Sequence, residues 1–237
     1  MGNLDCSLCI LCGGLGTRIQ EIAGDTSKSM LNINGQPLLL KVILNAWDQG
    51  AFEKTLLLAG HKSESIVELV EKRNNSGEKI SIVVEERPLG TGGAIINALD
   101  KINTSDFVVI NGDTLTDFNI HQFISRARKI GASCAIGGIP VDNMIDYGAL
   151  EINPDGTLAA IHEKQRSGPG IANCGIVYFT KSLFEKLNIS CSDVGTISLE
   201  SDILAKVICK IYVFVDENTE FLDVGTPERF LKAVDKY

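Results

Sequence analysis

Short runs of strand-forming residues alternate with longer helical stretches along most of this chain, and this alternation limits the possible folds more than any other feature. Strands that alternate with helices in this way form a largely parallel sheet with helices on both faces. The predicted elements are, in chain order, strand 8–12, helix 38–49, strand 54–59, helix 61–73, strand 80–85, helix 92–99, strand 107–110, helix 120–130 and strand 133–139. We therefore predict an α/β fold with three layers and a mostly parallel, mixed central sheet.

The second half of the chain is predicted to be more mixed. Residues 148–152 and 158–163 flank the turn sequence Asn153-Pro154-Asp155-Gly156 and are therefore predicted to form a hairpin. The remaining predicted elements are strand 172–179, helix 182–187, strand 210–215, the extended segment 221–224 and a final helix, 227–235, opened by Pro227. No linker, repeat or low-complexity tract interrupts the chain, so we predict one domain over residues 1–237.

Composition and charge exclude several classes of protein. Apolar residues make up 44% of the 237 residues, which is enough for a sizeable core, and the formal net charge is −8. Nucleic-acid binders usually present a basic face, so we expect no general affinity for DNA or RNA. No apolar stretch is long enough to span a membrane, and no Lys or Arg precedes the first apolar run, as one would in a secretory signal. We therefore expect no membrane contact.

Seven cysteines are scattered through the chain, and this odd count favours free thiols in a reducing cytoplasm over a disulfide framework. Cys6, Cys9 and Cys12 have the C-x2-C-x2-C spacing of an iron–sulfur segment, but Gly16 stands where the fourth cysteine would be. In a strand, Cys9 would also point away from the other two. We therefore predict buried thiols rather than cluster ligands.

A glycine-rich loop at residues 13–16 follows the first predicted strand, and Arg18 comes directly after it. Glycines allow the backbone to approach a ligand closely, and successive N–H groups in such a turn can bind an anion beside a guanidinium. A P-loop would need Gly-Lys-Ser or Gly-Lys-Thr at Thr17-Arg18-Ile19, and a dinucleotide fingerprint would need Gly or Ala at Ile19. The loop by itself leaves open a phosphate site and a simple strand-to-helix turn.

Lys28 lies in the segment Ser27-Lys28-Ser29-Met30-Leu31, and the turn Asn34-Gly35-Gln36-Pro37-Leu38 follows. An isolated lysine is usually a solvated surface charge, but the order G-G-x-G-T-R, then K-x-M-L, then G-x-P-L is specific. It resembles the signature of the sugar-phosphate nucleotidyltransferase family, which usually has proline on both sides of the lysine. Serine stands at both positions here, so a looser turn is expected around Lys28.

The resemblance extends over nearly the whole chain. The matching segments are the base-binding loop 85–94, the strand end Asn111-Gly112-Asp113-Thr114, the sugar-facing pair Tyr147-Gly148, the E-K segment Glu163-Lys164, the sugar contact Asn173-x-Gly175 and the metal segment Asp223-Val224-Gly225-Thr226-Pro227. At Gln165 this chain departs from the proline that is common in the family. The resemblance implies a Rossmann-like three-layer sandwich of the GT-A-like nucleotidyltransferase type. It also implies a nucleotide-binding half at about 1–130 and a sugar-phosphate-binding half at about 131–237.

The resemblance further implies a role for each matching residue. Arg18, Lys28 and Asp113 would be catalytic: Arg18 would hold the β- and γ-phosphates or the departing pyrophosphate, and Lys28 would offset charge on the α-phosphate. Asp113 and Asp223 would hold Mg²⁺, although either aspartate, taken alone, is more typical of a turn or a helix cap. The implied nucleotide-binding residues are Leu11, Gly13, Gly14, Gly16, Thr17, Glu85, Gly90 and Thr91. The implied substrate-binding residues are Asn111, Tyr147, Gly148, Glu163, Lys164, Asn173 and Gly175, with Lys164 placing the sugar phosphate.

Glu85 bears on the choice of base. Guanine presents two adjacent donors, N1–H and the N2 amine, which one carboxylate can accept together, whereas uracil and thymine present acceptors at O2 and O4. Relatives that use thymidine or uridine triphosphate often have glutamine here, so Glu85 favours GTP, with a solvated strand-end charge as the alternative. Within the family, the run E-x-P-L-G-T-G-G-A-I followed by N-G-D-T is most similar to bacterial enzymes that guanylylate D-glycero-D-manno-heptose 1-phosphate. Thymidylyl, uridylyl or cytidylyl transfer to a hexose 1-phosphate is the alternative.

Two other classes of protein share parts of this pattern. A glycosyltransferase has the same type of sheet, but its metal site usually needs Asp-x-Asp, and Asp113-Thr114-Leu115 lacks the second aspartate. A non-catalytic nucleotide-sugar sensor would keep the pocket without needing Lys28 and two metal carboxylates together. Release of pyrophosphate from a triphosphate and a sugar 1-phosphate distinguishes the predicted enzyme from both. The oligomeric state, with a homodimer as one option, is left open by the sequence.

Overall fold

The structure is a computed structural model that describes residues 5–14, 16–50, 52–60, 62–162, 167–187 and 195–237. Its strands are β1 (Ser7–Leu11), β2 (Asn32–Ile33), β3 (Gln36–Pro37), β4 (Lys54–Ala59), β5 (Ile80–Val84), β6 (Asp106–Asn111), β7 (Thr114–Thr116), β8 (Cys134–Val141), β9 (Ala149–Ile152), β10 (Leu158–His162), β11 (Gly170–Thr180), β12 (Ile211–Val215) and β13 (Phe221–Asp223). Its α-helices are α1 (Gln20–Ala23), α2 (Leu38–Gln49), α3 (Glu64–Asn75), α4 (Gly90–Ala98), α5 (Ile120–Lys129), α6 (Lys181–Leu187) and α7 (Pro227–Lys236). A π-helix spans Leu199–Ile203, and 3₁₀ segments lie at Thr17–Ile19, Lys28–Met30, Leu99–Lys101 and Leu204–Lys210. Within these ranges no helix is both long and apolar enough to span a lipid bilayer.

Nine of the strands form one mixed central sheet. Its order is β10-β9-β11-β6-β1-β4-β5, and β8 pairs with β11 and β12. Strand β1 is parallel to both of its neighbours, β4 and β6, and β4 is parallel to β5. The pairings of β11 with β6, β8 and β9 are antiparallel, so β10 and β11 run against the direction of the other seven strands. The prediction of a mostly parallel, mixed sheet is confirmed.

Helices cover both faces of the sheet, and the side chains of β1 show how the two layers form. Leu8 and Ile10 belong to one hydrophobic cluster, which also contains buried residues of α2, α3 and α5. Cys9 belongs to a second cluster, together with buried residues of α4 and α6. This alternation follows from the two-residue period of a strand, whose successive side chains point to opposite faces. The predicted three-layer α/β architecture is therefore confirmed.

The same alternation separates the three closely spaced cysteines. Cys6 and Cys12 belong to the first cluster, and Cys9 belongs to the second, on the opposite face of the sheet. All three are buried, and burial raises the pKa of the Cys9 thiol to about 12. Protonated thiols on opposite faces of a sheet cannot converge on one iron–sulfur cluster. The prediction of buried thiols is confirmed.

The predicted hairpin is present, and most other predicted elements differ only at their ends. Strands β9 and β10 pair antiparallel around a turn in which Gly156 has a φ of +82°. The helix predicted at 61–73 is α3, which begins at Glu64, while His61 lies outside the described residues. The sequence pattern missed α1, β2, β3 and β7 because elements this short contain too few residues to show a period. It also missed the helical turns at 199–210.

Candidate active site

A cleft of about 600 Å³ opens at the carboxyl ends of β1, β4 and β6. In open α/β sheets, ligands bind in a crevice at this end of the strands. The cleft lies where Leu11 ends β1, Ala59 ends β4 and Asn111 ends β6. Nine of the predicted site residues line it, namely Leu11, Gly13, Gly14, Lys28, Glu85, Gly90, Thr91, Asn111 and Asp113.

The glycine-rich loop after β1 packs closely against the loop after β4. A Cβ atom at Gly13 would lie 2.9 Å from the backbone N of Gly60, so no side chain fits there. At Gly14 a Cβ would meet nothing within 4 Å, and this residue lines the cleft. Gly16 has a φ of +60°, and a Cβ there would lie 3.0 Å from Lys28 Cβ. The loop therefore requires glycine at two positions, Gly13 and Gly16, and at Gly16 it packs directly against Lys28. Leu15 lies outside the described residues.

Two buried serines hold the 3₁₀ turn that carries Lys28. The hydroxyls of Ser27 and Ser29 lie 3.0 Å apart, and the Ser29 hydroxyl donates to the carbonyl O of Cys12 at 3.5 Å. Both serines are buried. These hydrogen bonds tie the turn that carries Lys28 to the loop that follows β1. The expectation of a looser turn around Lys28 therefore has no support in these contacts.

Lys28 lies between the two predicted metal carboxylates. Its Nζ is 2.5 Å from Asp113 Oδ2 and 4.0 Å from Asp223 Oδ1. Asp113 comes two residues after the end of β6, whereas Asp223 ends β13, 110 residues later in the sequence. Antiparallel pairing of β7 with β13 sets Thr114 opposite Asp223, and Val224 N donates to the carbonyl O of Asp113 at 2.9 Å. This small second sheet brings the three charged groups together.

Arg18 approaches the same group of charges from the glycine-rich loop. A Cβ atom at Gly225 would lie 2.8 Å from Asp223 Oδ1 and 3.3 Å from Arg18 Nη2. The guanidinium and the carboxylate therefore both lie close to the position that a side chain at Gly225 would occupy. Thr17 and Arg18 are exposed within the 3₁₀ segment Thr17–Ile19, at the open side of the loop.

The donor set around Lys28 suits a hard divalent cation. Asp113 and Asp223 supply two carboxylates, and the described residues contain no group of three or more His, Cys, Asp or Glu side chains that could hold a metal. Mg²⁺ is commonly bound through one or two carboxylates, with water and substrate phosphates completing its six ligands. The residues present therefore fit Mg²⁺ that binds together with a phosphorylated substrate.

Glu85 lies in the wall of the cleft next to the glycine-rich loop. Its Oε1 would be 3.2 Å from a Cβ at Gly13, and its Oε2 accepts a hydrogen bond from Leu89 N at 2.7 Å. Burial raises the pKa of Glu85 above its ordinary value, and the Leu89 hydrogen bond acts in the opposite direction. The carboxylate is thus oriented by the backbone of the loop that begins α4.

A distant segment supports the loop that begins α4. Ile197 O accepts hydrogen bonds from Gly92 N at 2.9 Å and from Gly93 N at 3.2 Å, and Ile197 N donates to Leu89 O at 2.7 Å. Leu199 N donates to Thr91 Oγ1 at 2.8 Å. These contacts hold the loop that begins α4 against residues 196–199, more than a hundred positions later in the chain.

We expect Gly90→Ala to lower the free energy of unfolding more than the matched change Gly131→Ala. Both glycines have positive φ, +78° and +68°, which costs an alanine about 1–2 kcal/mol. Only at Gly90 would the new Cβ also lie 2.5 Å from Ile197 O, because nothing lies within 4 Å at Gly131. The overpacking should add at least about 1 kcal/mol, measured by equilibrium urea unfolding of both variants. Equal losses would contradict the close approach of Ile197.

The predicted acceptor residues form a connected chain beside the cleft. Gly175, with a φ of +74°, packs against the side chain of Asn111, and its N–H donates to Asn173 Oδ1 at 2.9 Å. Asn173 N donates to Gly148 O at 2.9 Å, and Gly148 follows Tyr147. Within the described residues, Asn111 is the only one of these five that lines the cleft. Glu163 and Lys164 lie outside the described residues.

Thr196 and Arg229 are among the residues at this site that sequence reasoning missed. Thr196 lines the cleft, but no local pattern marks it, since it reaches the site only through the contacts of residues 196–199. Arg229 pairs with Asp223 through Nη1 at 3.0 Å and lies in the first turn of α7. The predicted helix start at Pro227 could have drawn attention to it, because a first-turn side chain lies close to the residues before the helix.

Comparison with known proteins shows similarity along almost the whole chain. The sequence profile of the nucleotidyl transferase family matches residues 8–237. The D-glycero-alpha-D-manno-heptose 1-phosphate guanylyltransferase of Aneurinibacillus thermoaerophilus is 31% identical over 94% of this chain and 95% of its own length. The protein of the same description from Campylobacter jejuni is 30% identical over 93% of this chain and 95% of its own length. The crystal structure of HddC from Yersinia pseudotuberculosis complexed with GMP-PN has a TM-score of 0.85 and 36% identity, covering 98% of this chain and 99% of HddC.

Proposed function

Because the chain belongs to the nucleotidyl transferase family, we propose that it is a sugar-1-phosphate nucleotidyltransferase. In this reaction an oxygen of the sugar 1-phosphate attacks the α-phosphorus of a nucleoside triphosphate. A new phosphorus–oxygen bond forms, the bond from the α-phosphorus to the oxygen that bridges to the β-phosphate breaks, and pyrophosphate leaves. The product is a nucleotide sugar.

The position of Lys28 supports this proposal more than any other single observation. Its ammonium group lies within 4.0 Å of both Asp113 and Asp223, at a cleft lined by the glycines of the loop after β1. Two phosphorylated reactants bring several negative charges to one place, and their repulsion opposes attack until cations offset it. A lysine fixed beside metal-binding carboxylates meets that requirement, whereas a solvated surface lysine would not.

The chain's own cations share the work in this proposal. Lys28 stabilises the charge that develops on the α-phosphate as the attacking and leaving oxygens are both partly bonded. Arg18, which lies 3.3 Å from the Cβ position of Gly225, binds the β- and γ-phosphates and then the departing pyrophosphate. Lys164, outside the described residues, places the sugar phosphate for in-line attack. No covalent intermediate on the enzyme is needed.

Asp113 and Asp223 hold Mg²⁺ in the proposed mechanism. When bound, the ion supplies Lewis-acid stabilisation of phosphate charge. Asp113 Oδ2 is paired with Lys28 Nζ at 2.5 Å. The pair holds the Lys28 ammonium next to Asp113, at the cleft where the phosphates and the metal ion are proposed to bind.

Glu85 supports GTP as the preferred triphosphate. Its carboxylate lines the cleft, and Leu89 N occupies one lone pair of Oε2. Oε1 and the second lone pair of Oε2 can still accept from guanine N1–H and the N2 amine. The similar HddC was crystallised with GMP-PN, and both relatives compared above are described as guanylyltransferases.

We expect Glu85→Gln to shift the base preference away from GTP by about tenfold or more, because a neutral amide accepts from only one guanine donor and offers an unwanted NH₂ to the other. The ratio of kcat/KM for GTP to kcat/KM for UTP measures the change. Glu86→Gln is the matched control, since Glu86 also lines the cleft but is exposed. An unchanged ratio in Glu85→Gln, or an equal shift in Glu86→Gln, would remove Glu85 as the reason for choosing GTP.

A D-glycero-D-manno-heptose 1-phosphate is the proposed acceptor. Two relatives with this substrate in their descriptions match this chain over 95% of their own length. The acceptor residues Asn111, Asn173 and Gly175 are joined by close contacts, as a sugar-binding wall requires. A glucose or mannose 1-phosphate is the nearest alternative acceptor.

The decisive experiment incubates the purified chain with four nucleoside triphosphates against several sugar 1-phosphates and detects pyrophosphate. We expect pyrophosphate release that needs both substrates and Mg²⁺, with GTP and heptose 1-phosphate as the best pair. A glycosyltransferase or a nucleotide-sugar sensor would release none. Chelation of Mg²⁺ with EDTA should abolish the release, and addition of excess Mg²⁺ should restore it.

Three further predictions accompany this proposal. A homodimer, a cytoplasmic location, and the division into a nucleotide half at about 1–130 and a sugar-phosphate half at about 131–237 all remain predictions. Light scattering on the purified chain measures its molar mass in solution and so tests the predicted homodimer. Limited proteolysis with and without each substrate tests the division, because each ligand should protect mainly its own half.

A further inference from the structure

Arg229 is a buried arginine that the mechanism above does not use. It lies in the first turn of α7, and only 8% of its surface is exposed. Its Nη1 donates to Asp223 Oδ2 at 3.0 Å, and its Nη2 lies 2.7 Å from Asp146 Oδ2. Its guanidinium carbon lies 4.9 Å from the centroid of the Tyr147 ring. A buried charge is costly unless it is paired, so these three contacts hold Arg229 in place.

On one side, Arg229 controls the orientation of a metal-binding carboxylate. Asp223 Oδ2 faces Arg229, while Oδ1 lies 4.0 Å from Lys28 Nζ. A carboxylate held at one oxygen by a rigid, planar guanidinium has little freedom to rotate. Arg229 thereby restricts the carboxylate of Asp223 to an orientation in which one oxygen faces Arg229 and the other faces Lys28.

On the other side, Arg229 holds the segment that carries two of the predicted acceptor residues. Asp146 directly precedes Tyr147 and Gly148, and its carboxylate is paired with Nη2. The Tyr147 ring packs against the guanidinium face in a cation–π contact and against Phe221 at 5.6 Å. Movement of residues 146–148 would therefore pull on the same guanidinium that orients Asp223.

The beginning of α7 places Arg229 between these two groups. Thr226 caps the helix, with Oγ1 accepting from Arg229 N at 3.4 Å, and Pro227 opens the first turn. Gly225 leaves no room for a side chain beside Asp223. The connection from β13 to α7 is thus short and fixed, and it sets the third residue of the helix against the carboxylate that ends the strand.

We propose that Arg229 is a positioning residue that couples the Asp223 carboxylate to the acceptor segment 146–148. This inference rests on the proposed function, because it gives Asp223 and Tyr147 the roles assigned there. One guanidinium serves both groups, so its loss weakens binding of the divalent ion and of the sugar phosphate together.

The first test measures Mn²⁺ binding to Arg229→Gln by electron paramagnetic resonance of free Mn²⁺. The full chain is titrated in the presence of a non-hydrolysable analogue of the triphosphate that the wild-type protein turns over. Removing a positive charge would by itself tighten binding of a cation. If Arg229 orients Asp223, the affinity for Mn²⁺ instead falls about tenfold, as for other residues that orient metal ligands. Unchanged or tighter binding overturns the proposal.

Arg126→Gln is the matched control, because Arg126 is an exposed arginine of α5 that contacts the ring of Phe214. We expect wild-type Mn²⁺ affinity and turnover in this variant. Arg229→Lys provides a second test if Arg229→Gln unfolds: it keeps the charge, but a single ammonium cannot reproduce the two-armed contact. A folded Arg229→Lys protein with wild-type Mn²⁺ affinity and wild-type KM for the sugar phosphate overturns the coupling.

Asp146→Asn separates the two arms of the contact. It weakens the Nη2 pair while leaving Nη1 on Asp223, so the KM for the sugar phosphate should rise several-fold with Mn²⁺ affinity within twofold of wild type. A loss of Mn²⁺ affinity equal to that of Arg229→Gln, or an unchanged KM for the sugar phosphate, overturns the assignment of the contact between Arg229 and Asp146.

Pyrophosphate release by the wild-type protein is measured before any variant is tested. Its absence rejects the proposed function, whereas its presence with unaffected Arg229 variants rejects only the present inference.

Discussion

Lys28→Ala should lower kcat by about a thousandfold while the protein remains folded. The ammonium group lies 2.5 Å from Asp113 and 4.0 Å from Asp223, at the place where the phosphates of both substrates are proposed to meet. Its charge is needed most when the α-phosphate is bonded to both the attacking and the leaving oxygen. The loss should therefore appear in kcat more than in the KM of either substrate.

Steady-state pyrophosphate release measures this change, and circular dichroism verifies the fold. Lys129→Ala is the matched control, because Lys129 is an exposed lysine in the last turn of α5. We expect the control to keep kcat within about twofold of wild type, as for most surface substitutions that touch no partner. A Lys28→Ala protein with kcat within tenfold of wild type would show that Lys28 is a structural partner of Asp113 and not a catalytic group.

Asp223→Asn should lower kcat/KM at least about a hundredfold and make the enzyme require more Mg²⁺, since a carboxylate ligand is replaced by a neutral amide of the same size. The fold should survive, because the amide oxygen can still accept from Arg229 Nη1, which lies 3.0 Å from Asp223 Oδ2. Rates measured over a range of Mg²⁺ concentrations test the prediction. The concentration that gives half-maximal rate should increase, and high Mg²⁺ should restore part of the activity.

Asp235→Asn serves as the control, because this aspartate is exposed at the far end of α7. It should leave the Mg²⁺ dependence unchanged. The metal assignment would be wrong if Asp223→Asn showed the same half-maximal Mg²⁺ concentration as wild type, whatever its kcat. A lower kcat with unchanged Mg²⁺ dependence would instead point to the contacts of Asp223 with Lys28 and Arg229.

Most of the sheet could be predicted from sequence because its information is local. The runs that became β1, β4 and β6 each contain four consecutive apolar residues, as expected of strands buried on both faces. The amphipathic stretch that became α2 lies between two of them. Strand and helix periods depend on residues within a few positions of one another, so the alternation of the two appears directly in the sequence.

The chemical groups of the site could also be predicted, but their contacts could not. The order of the glycine-rich loop, Lys28, Asp113 and Asp223 indicates phosphate and metal chemistry before any coordinates are known. Sequence order does not say that Lys28 lies between the two carboxylates. That depends on the pairing of β13, which the sequence predicts as an extended segment, with β7, a three-residue strand too short to be recognised from a pattern.

The sequence by itself determined the fold class, the location of the glycine-rich loop and the residue types available for catalysis, because each of these is set by short-range periodicity or by side-chain chemistry. Only the tertiary structure decided that Ile197 supports the loop that begins α4, that Thr196 lines the cleft and that Arg229 joins Asp223 to Asp146. These contacts join residues whose spacing along the chain shows no period. They form because packing of the whole sheet and its helices brings distant backbone segments within hydrogen-bonding distance.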